Sequence, residues 1–321
     1  KKGVVKITNE FDEITERTKI TVDRDHNKGF RANKKKNRYF DVKCVDNSRV
    51  KLKNWINGDY IHANFIKIKE LEKDIVIGAQ APMKNTAADF WWMIWQEGVK
   101  LITMLCKVVE NDMEKCYQYW GEKPGTTLFF PPLSITTKKV IIKKSKERQI
   151  AYCRESLLLV KMINNEKGQD ERQEQSRYIW HILYPNWPDQ GVPQESKELT
   201  DLLIRMEKVW KEHISKNKSS LINKNPPKVI HCSAGIGRTG TLALLYFVIK
   251  ILRNQREIIS LPHLLVTIRM QRSQAIQTAS QYIFVHVAVI EYLLRHLKLR
   301  KTEEISNFLQ ECKTFMINES E

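Results

Sequence analysis

The spacing of apolar and polar positions changes period several times along the chain. Residues 9–20 (NEFDEITERTKI) set Phe11 and Ile14 at helical spacing with acid early, and predict an N-terminal helix. Residues 23–38 are polar and basic and read as a loop, followed by an extended region over 40–52. Residues 59–69 alternate like a half-buried strand, 74–81 predict the next strand, and 99–105 form a short apolar strand run. Between them, 87–96 (AADFWWMIWQ) predict a helix with an aromatic face. Residues 134–144 and 148–159 are β-branched and alternating, as in an antiparallel pair, and 177–183 give a further strand. The stretch 164–175 reads as a charged turn and 216–228 as a loop. Residues 195–214 space Leu199, Leu202, Leu203, Met206, Trp210 and Ile214 as one helical core face. Helices are also predicted at about 262–272 and 278–297, with an amphipathic tail helix at 302–316. Strands mixed with helices, without a repeat or a long linker, predict one α/β domain on a mixed sheet.

One stretch stands apart. Residues 229–240 read VIHCSAGIGRTG, and the apolar segment 241–252 follows. The pattern is strand, tight loop, helix, with Cys232 at the loop entrance and Arg238 at the helix start. A loop of small residues lets successive backbone N–H groups face one concavity, which suits a multiply charged anion. The helix N-terminus adds free donors and a positive dipole end. Arg238 can add a planar fork for phosphate or sulfate, and the same positive field favours a thiolate at Cys232. The arrangement predicts a nucleophile facing a bound phosphoryl group.

Composition narrows the setting. The six cysteines are scattered without a CxxC pair, so neither a zinc site nor a disulfide framework is expected, and a reducing, cytoplasmic setting suits a free thiol. No stretch approaches the length of a membrane span, and the N-terminus lacks the apolar core of a signal peptide. Because the chain opens on Lys1, the numbering is expected to start inside a longer chain. A net charge of +17 attracts anions in general, including phosphopeptides and acidic lipid surfaces, although much of it is Lys beside Asn on a solvated surface.

HCSAGIGRTG resembles the signature of the protein tyrosine phosphatases, and other segments extend the likeness over about residues 10–300, leaving 301–321 as a tail. Asn186–Pro193 (NWPDQGVP) resembles the family's mobile WPD loop; Asp189 would be the general acid and Trp187 a hinge plug. Gln277 resembles the glutamine that orients the hydrolytic water, and by the same resemblance Gln281 is a second glutamine nearby that binds substrate. The segment 36–39 (KNRY) resembles the phosphotyrosine-recognition loop. Tyr39 would stack on the substrate ring, and Asp41 would accept hydrogen bonds from the substrate backbone. Glu110 resembles an acid that holds the catalytic arginine, and Lys115 a lysine that meets the closed acid loop. By the same resemblance His231 orients the loop around Cys232, Thr239 helps the thiol leave, and Ser233, Ala234, Gly235, Ile236 and Gly237 bind phosphate with Arg238. Asp59–Asn64 (DYIHAN) and Asn85–Trp91 (NTAADFW) match structural segments.

The resemblance implies a highly twisted mixed sheet flanked by helices, and a cofactor-free, metal-independent hydrolase of phosphotyrosine in proteins. Gln274, a position that is glycine in some members, would narrow the approach to the pocket. The Lys/Asn-rich composition and small domain also resemble the bracovirus phosphatases that parasitoid wasps deliver to hosts, which implies interference with host signalling. Two other readings stand beside this one. A phosphotyrosine-binding decoy usually loses the Cys, the Arg or the acid-loop Asp, and all three are present here. An RNA 5′-triphosphatase or phosphoinositide phosphatase would share the loop and suit a basic chain, but the Tyr39 and WPD loops speak against it and against nucleic acid as a partner.

Overall fold

The computed structural model describes residues 3–21, 26–144, 151–163, 176–189, 191–216, 226–255 and 260–319. The expected charged turn at 164–175 lies outside these, as do most of the loop 216–228 and Gln190. In chain order come α1 (Val4–Thr21), α2 (Lys28–Ala32), β1 (Arg49–Lys51), β2 (Tyr60–Ile66), β3 (Val76–Ala79) and α3 (Ala87–Gln96). Then follow β4 (Leu101–Met104), β5 (Val109–Glu110), β6 (Met113–Glu114), β7 (Thr127–Phe130), β8 (Leu133–Lys144), β9 (Ala151–Met162) and β10 (Ser176–Leu183). The last third holds α4 (Ser196–Lys216), β11 (Lys228–His231), α5 (Gly237–Gln255), α6 (Leu261–Gln271), α7 (Ala279–His296) and α8 (Glu303–Asn318).

Among the described residues nine strands form one mixed sheet in the order β1-β2-β3-β11-β4-β10-β9-β8-β7. The middle four, β3, β11, β4 and β10, run parallel. Every residue of β3, β4 and β11 is buried, which is why these segments are short apolar runs rather than alternating ones. The flanks are antiparallel, and β8 pairs with β9 over their whole length. Helix α5 packs on β3 and β11, α6 and α7 pack on α5, and α1, α4 and α8 pack on α7. Helix α8 occupies the stretch read as a tail; it buries Leu309 and Cys312, and its Glu311 accepts the Val4 N–H at 3.2 Å. Among the described residues no helix is long and apolar enough to cross a membrane.

Two expectations need correction. Residues 40–52 are mostly turns, with strand only at Arg49–Lys51, and the loop read over 23–38 contains the helical turn α2. The apolar positions of this region reflect burial, not pleating. Phe30, Cys44 and Tyr60 pack together as a small separate cluster, and the Asn64 carboxamide caps the turn by donating to the Val45 carbonyl at 2.8 Å.

Strand β11 carries chemistry at both ends. Cys232 follows its C-terminal end, and Lys228 opens it with 1% exposure. The Lys228 ammonium lies 3.8 Å from the Trp210 ring centroid and 3.6 Å from Asp74. Burial pushes the Lys228 pKa down to about 8, with Asp74 and Glu207 opposing it. The folded state therefore gives up this proton more readily than the unfolded state does, and the unfolded chain binds more protons between about pH 8 and the ordinary lysine value. We expect the Lys228 contribution to make stability rise with pH across that window. Urea midpoints at pH 8 and pH 10 should show the rise in the wild type relative to Lys228→Met; equal slopes would contradict it.

Candidate active site

The site is built where β11 runs out. Cys232 is 5% exposed, and its Sγ accepts the Gly235 N–H at 3.2 Å, so the loop curls its amides toward the sulfur. Gly235 has φ +73°, and a Cβ there would lie 2.0 Å from the Ala79 carbonyl oxygen, so no other residue fits. Helix α5 begins at Gly237, directly behind the loop. Elsewhere burial pushes the thiols of Cys44, Cys106, Cys116 and Cys312 up, which keeps them protonated at neutral pH.

Arg238 is buried and held from behind. Glu110 takes its Nη1 and Nη2 at 2.7 Å each, and the Leu105 carbonyl accepts Nη1 at 3.0 Å. Its Nη2 also lies 2.8 Å from Asp189 Oδ1, while Lys115 Nζ donates to Asp189 Oδ2 at 2.7 Å. The acid loop is thus closed over the phosphate loop, with its carboxylate between two cations. Partial burial pushes the Asp189 pKa up, but the Lys115 hydrogen bond and the Arg238 charge outweigh it and hold the carboxyl below its ordinary range. Trp187 is buried against Tyr184 and Phe284 and donates to the Gly191 carbonyl at 3.0 Å, pinning the loop to itself. Tyr184 donates to Glu198, and Ser196 to Glu291, which anchors the loop to α4 and α7.

His231 is fully buried beside Phe90, and burial pushes its pKa down to about 4. Its Nδ1 faces the Cys232 carbonyl at 3.2 Å, and its Nε2 lies 2.7 Å from the Tyr119 hydroxyl. That hydroxyl also meets His181 Nε2 at 2.8 Å. One hydroxyl proton between two imidazoles fixes the order: His181 donates to Tyr119, Tyr119 donates to His231, and His231 donates to the Cys232 carbonyl. His181 Nδ1 is then an acceptor, and it has no hydrogen-bond partner.

Tyr39 stands beside the Cys232 loop with its hydroxyl 2.7 Å from Ser233 Oγ, which donates onward to the Lys115 carbonyl at 3.0 Å. Asp41 is exposed, and its carbonyl accepts Gln274 Nε2 at 3.3 Å. Gln277 lies over the phosphate loop: a Cβ on Gly237 would sit 2.3 Å from Gln277 Oε1. Gln281, read as a substrate contact by resemblance, is fully buried; its Oε1 accepts the Gln277 N–H at 3.0 Å, and its Nε2 reaches the Gly191 carbonyl at 3.4 Å. Ala234 and Ile236 enter through their backbone. The Ile236 carbonyl accepts from Gly240 and Ile276, and the Thr239 hydroxyl is buried without a hydrogen-bond partner among the described residues. Arg238, Glu110, Asp189 and Lys115 meet directly around the Cys232 loop, while His231, Thr239 and Gln281 are buried behind it.

One residue escaped the sequence reading. Arg272 is fully buried; its Nε donates to the Gly235 carbonyl and its Nη2 to the Ala234 carbonyl, both at 2.9 Å. Its Nη1 donates to Asn64 Oδ1 at 2.8 Å and meets His62 Nδ1 at 3.0 Å. The local signal was faint: a basic residue inside an otherwise uncharged stretch, QRSQAIQ.

A cysteine and an arginine sharing one amide-lined loop, faced by a carboxylate on a second loop, define a class of anion-binding site suited to cysteine-based ester cleavage. The sequence profile of the protein-tyrosine phosphatase family matches residues 33–291, and the chain belongs to that family. It is 33% identical to tyrosine phosphatase H2 of Microplitis demolitor bracovirus over 265 residues, covering 81% of this chain and 76% of that protein. It is 34% identical to human tyrosine-protein phosphatase non-receptor type 2, covering 82% of this chain and 57% of that protein. Among solved structures, PTPN18 in complex with HER2-pY1248 phospho-peptides matches with TM-score 0.72 and 28% identity, over 89% of this chain and 98% of that one.

Removing Arg272 leaves two buried loop carbonyls without a donor, at about 1–3 kcal/mol each. We expect Arg272→Leu to destabilise the protein by about 3 kcal/mol or more in urea unfolding. It should also abolish vanadate binding measured by calorimetry at a temperature where the variant is folded.

Proposed function

We propose that the chain hydrolyses phosphotyrosine in proteins through a cysteinyl-phosphate intermediate. The observation that carries this reading is the triangle of Cys232, Arg238 and Asp189: a sulfur that accepts the Gly235 N–H, a buried guanidinium, and a carboxylate 2.8 Å from that guanidinium. The Cys232 thiolate attacks phosphorus, the bond to the tyrosyl oxygen breaks, and Asp189 gives its proton to that oxygen. The loop amides and Arg238 hold the equatorial oxygens as charge shifts. Gln277 then orients a water, Asp189 takes its proton, and the thiolate leaves with help from the Thr239 hydroxyl. Tyr39 sets a depth that suits a phenyl phosphate, and Asp41 offers an exposed carboxylate to the substrate backbone.

We assign the catalytic unit to residues 10–300 and a tail to 301–321, helical over Glu303–Asn318, and we take phosphotyrosine proteins as the partners. The phosphopeptides bound by PTPN18 in its complex support that choice. The human relative's designation as non-receptor type supports a cytoplasmic setting. The retained Cys232, Arg238 and Asp189 favour turnover over a decoy.

Turnover of phosphotyrosine against phosphoserine peptides tests the reading. We expect Cys232→Ser to lose turnover while still binding phosphotyrosine peptide in a pull-down; a variant that keeps its rate excludes the mechanism. The acid must be protonated for the first step, and the Lys115 hydrogen bond disfavours protonation. Lys115→Met should therefore raise the Asp189 pKa and move the alkaline limb of kcat/KM to higher pH. A pH–rate profile on p-nitrophenyl phosphate reads this, and a downward shift contradicts it.

A further inference from the structure

We propose that Phe40 and Met113 form an apolar rim over the Cys232 pocket, which selects phosphotyrosines flanked by apolar side chains over those flanked by acidic ones. The proposal rests on the phosphatase reading above and adds its substrate preference.

Phe40 follows Tyr39, the residue whose hydroxyl meets the phosphate loop, and it is 92% exposed. Its exposure is not that of a loose loop. The Arg38 N–H donates to Gln80 Oε1 at 3.0 Å, and Gln80 Nε2 returns a bond to the Lys36 carbonyl at 2.8 Å. The Asn37 carboxamide donates to the Phe30 carbonyl at 2.9 Å and accepts the Tyr60 hydroxyl at 2.6 Å. On the far side the Asp41 carbonyl accepts from Gln274. A phenyl ring is therefore held in solvent by a segment bonded on both sides of it, as apolar surface that a bound partner can remove from water. A rigid, exposed aromatic at the mouth of a pocket is the form an interaction anchor takes.

Met113 stands on a second wall. In the β5–β6 hairpin it lies directly opposite Glu110, so the two side chains share one face. Glu110 uses that face to grip Arg238. Two residues beyond Met113, Lys115 reaches Asp189. Met113 thus sits in sequence and on the ribbon between the groups that hold the arginine and the acid, yet it is 63% exposed. A thioether chain adapts to partners of varied shape. The two walls are stapled together by Arg38, which donates to the Glu114 carbonyl at 3.0 Å and to its carboxylate at 3.4 Å.

The charges beside this rim decide against acidic flanks. Asp41 adjoins Phe40 and is exposed, and Glu114 adjoins Met113 with its side chain 56% exposed. The Asp41 carboxylate repels an acidic residue next to the phosphotyrosine, Glu114 neutralises Arg38 so that this cation does not attract one, and the apolar pair offers contact to a leucine or phenylalanine there. The net charge of +17 acts at longer range and does not choose between neighbours of one residue.

Two phosphopeptides that differ only in the residues flanking phosphotyrosine, Leu in one and Glu in the other, test the proposal on the full chain. The wild type should favour the Leu peptide in kcat/KM by about tenfold, the discrimination that one or two apolar contacts provide. The ratio should fall toward unity in Phe40→Ser, Met113→Ser and the double variant. Both positions are exposed, so the substitutions leave the core intact. A wild-type ratio at or below one overturns the rim, as does a ratio unmoved in the double variant. Sedimentation with phosphatidylserine vesicles that is lost in Phe40→Ser, with the peptide ratio intact, assigns the ring to a membrane and overturns the proposal. If the wild type turns over neither the peptides nor p-nitrophenyl phosphate, the phosphatase reading itself fails, and the rim fails with it.

Discussion

Backbone geometry constrains the whole site. A loop that aims its N–H groups inward at an anion must aim its carbonyls outward, into the protein, where each needs a donor. Here every outward carbonyl from Ser233 to Gly237 has one. The Ser233 carbonyl accepts from Ala81 N–H, those of Ala234 and Gly235 from Arg272, that of Ile236 from Gly240 and Ile276, and that of Gly237 from the Thr241 hydroxyl. The segment after β3, the loop between α6 and α7, and helix α5 are thereby fixed around the phosphate loop. Asn64 and His62 on β2 matter because they hold Arg272. The cost appears at Gln274 and Ile276, at φ +61° and +65°, unusual for any side chain and more so for a β-branched one. Arg269 holds that strained turn by donating to the Ala275 and Ile276 carbonyls.

The charges follow from the same constraint. A buried arginine beside a ring of amides is a site short of negative charge when it is empty. Glu110 neutralises Arg238 from behind, and Asp189 approaches from in front, with Lys115 balancing it. The four side chains sum to zero. On our proposed mechanism a phosphate dianion entering the loop takes the place that the Asp189 carboxylate holds on Arg238. Its charge then favours protonation of Asp189, which is the form the first step needs. Substrate binding and arming of the acid become one electrostatic event.

Local structure was legible where the physics is local. The helix Ala87–Gln96, the strand–loop–helix around Cys232 and the long β8–β9 pair could be read because period and turn chemistry lie within a few residues. The acid loop, the Tyr39 loop and Gln277 were legible by likeness rather than by pattern. What could not be read depends on distant partners or on brevity. Arg272 acts on residues 37, 38 and about 200 positions away, and nothing beside it in sequence announces that role. The Val109–Glu114 hairpin has two residues in each strand, too few for a period, although it carries Glu110. Residues 40–52 misled because Val42, Cys44 and Val45 are apolar for burial beneath a turn and not for a sheet face.

The basic surface and the mouth of the pocket act at different ranges, and this separates attraction from choice. The charge of +17 draws any phosphorylated or acidic partner within a Debye length of about 8–10 Å and raises encounter rates. It acts on a phosphoserine peptide as on a phosphotyrosine one. Discrimination must come from contacts made after docking. On the proposed function the first is depth, set by Tyr39 against Ser233. The second is the immediate rim, where Phe40 and Met113 stand beside Asp41 and Glu114. A basic field with carboxylates at its focus draws anions in and then disfavours those with further acid beside the phosphate. With the proposed rim, such a surface favours, among the acidic proteins it draws, those in which phosphotyrosine is the local charge and its neighbours are apolar.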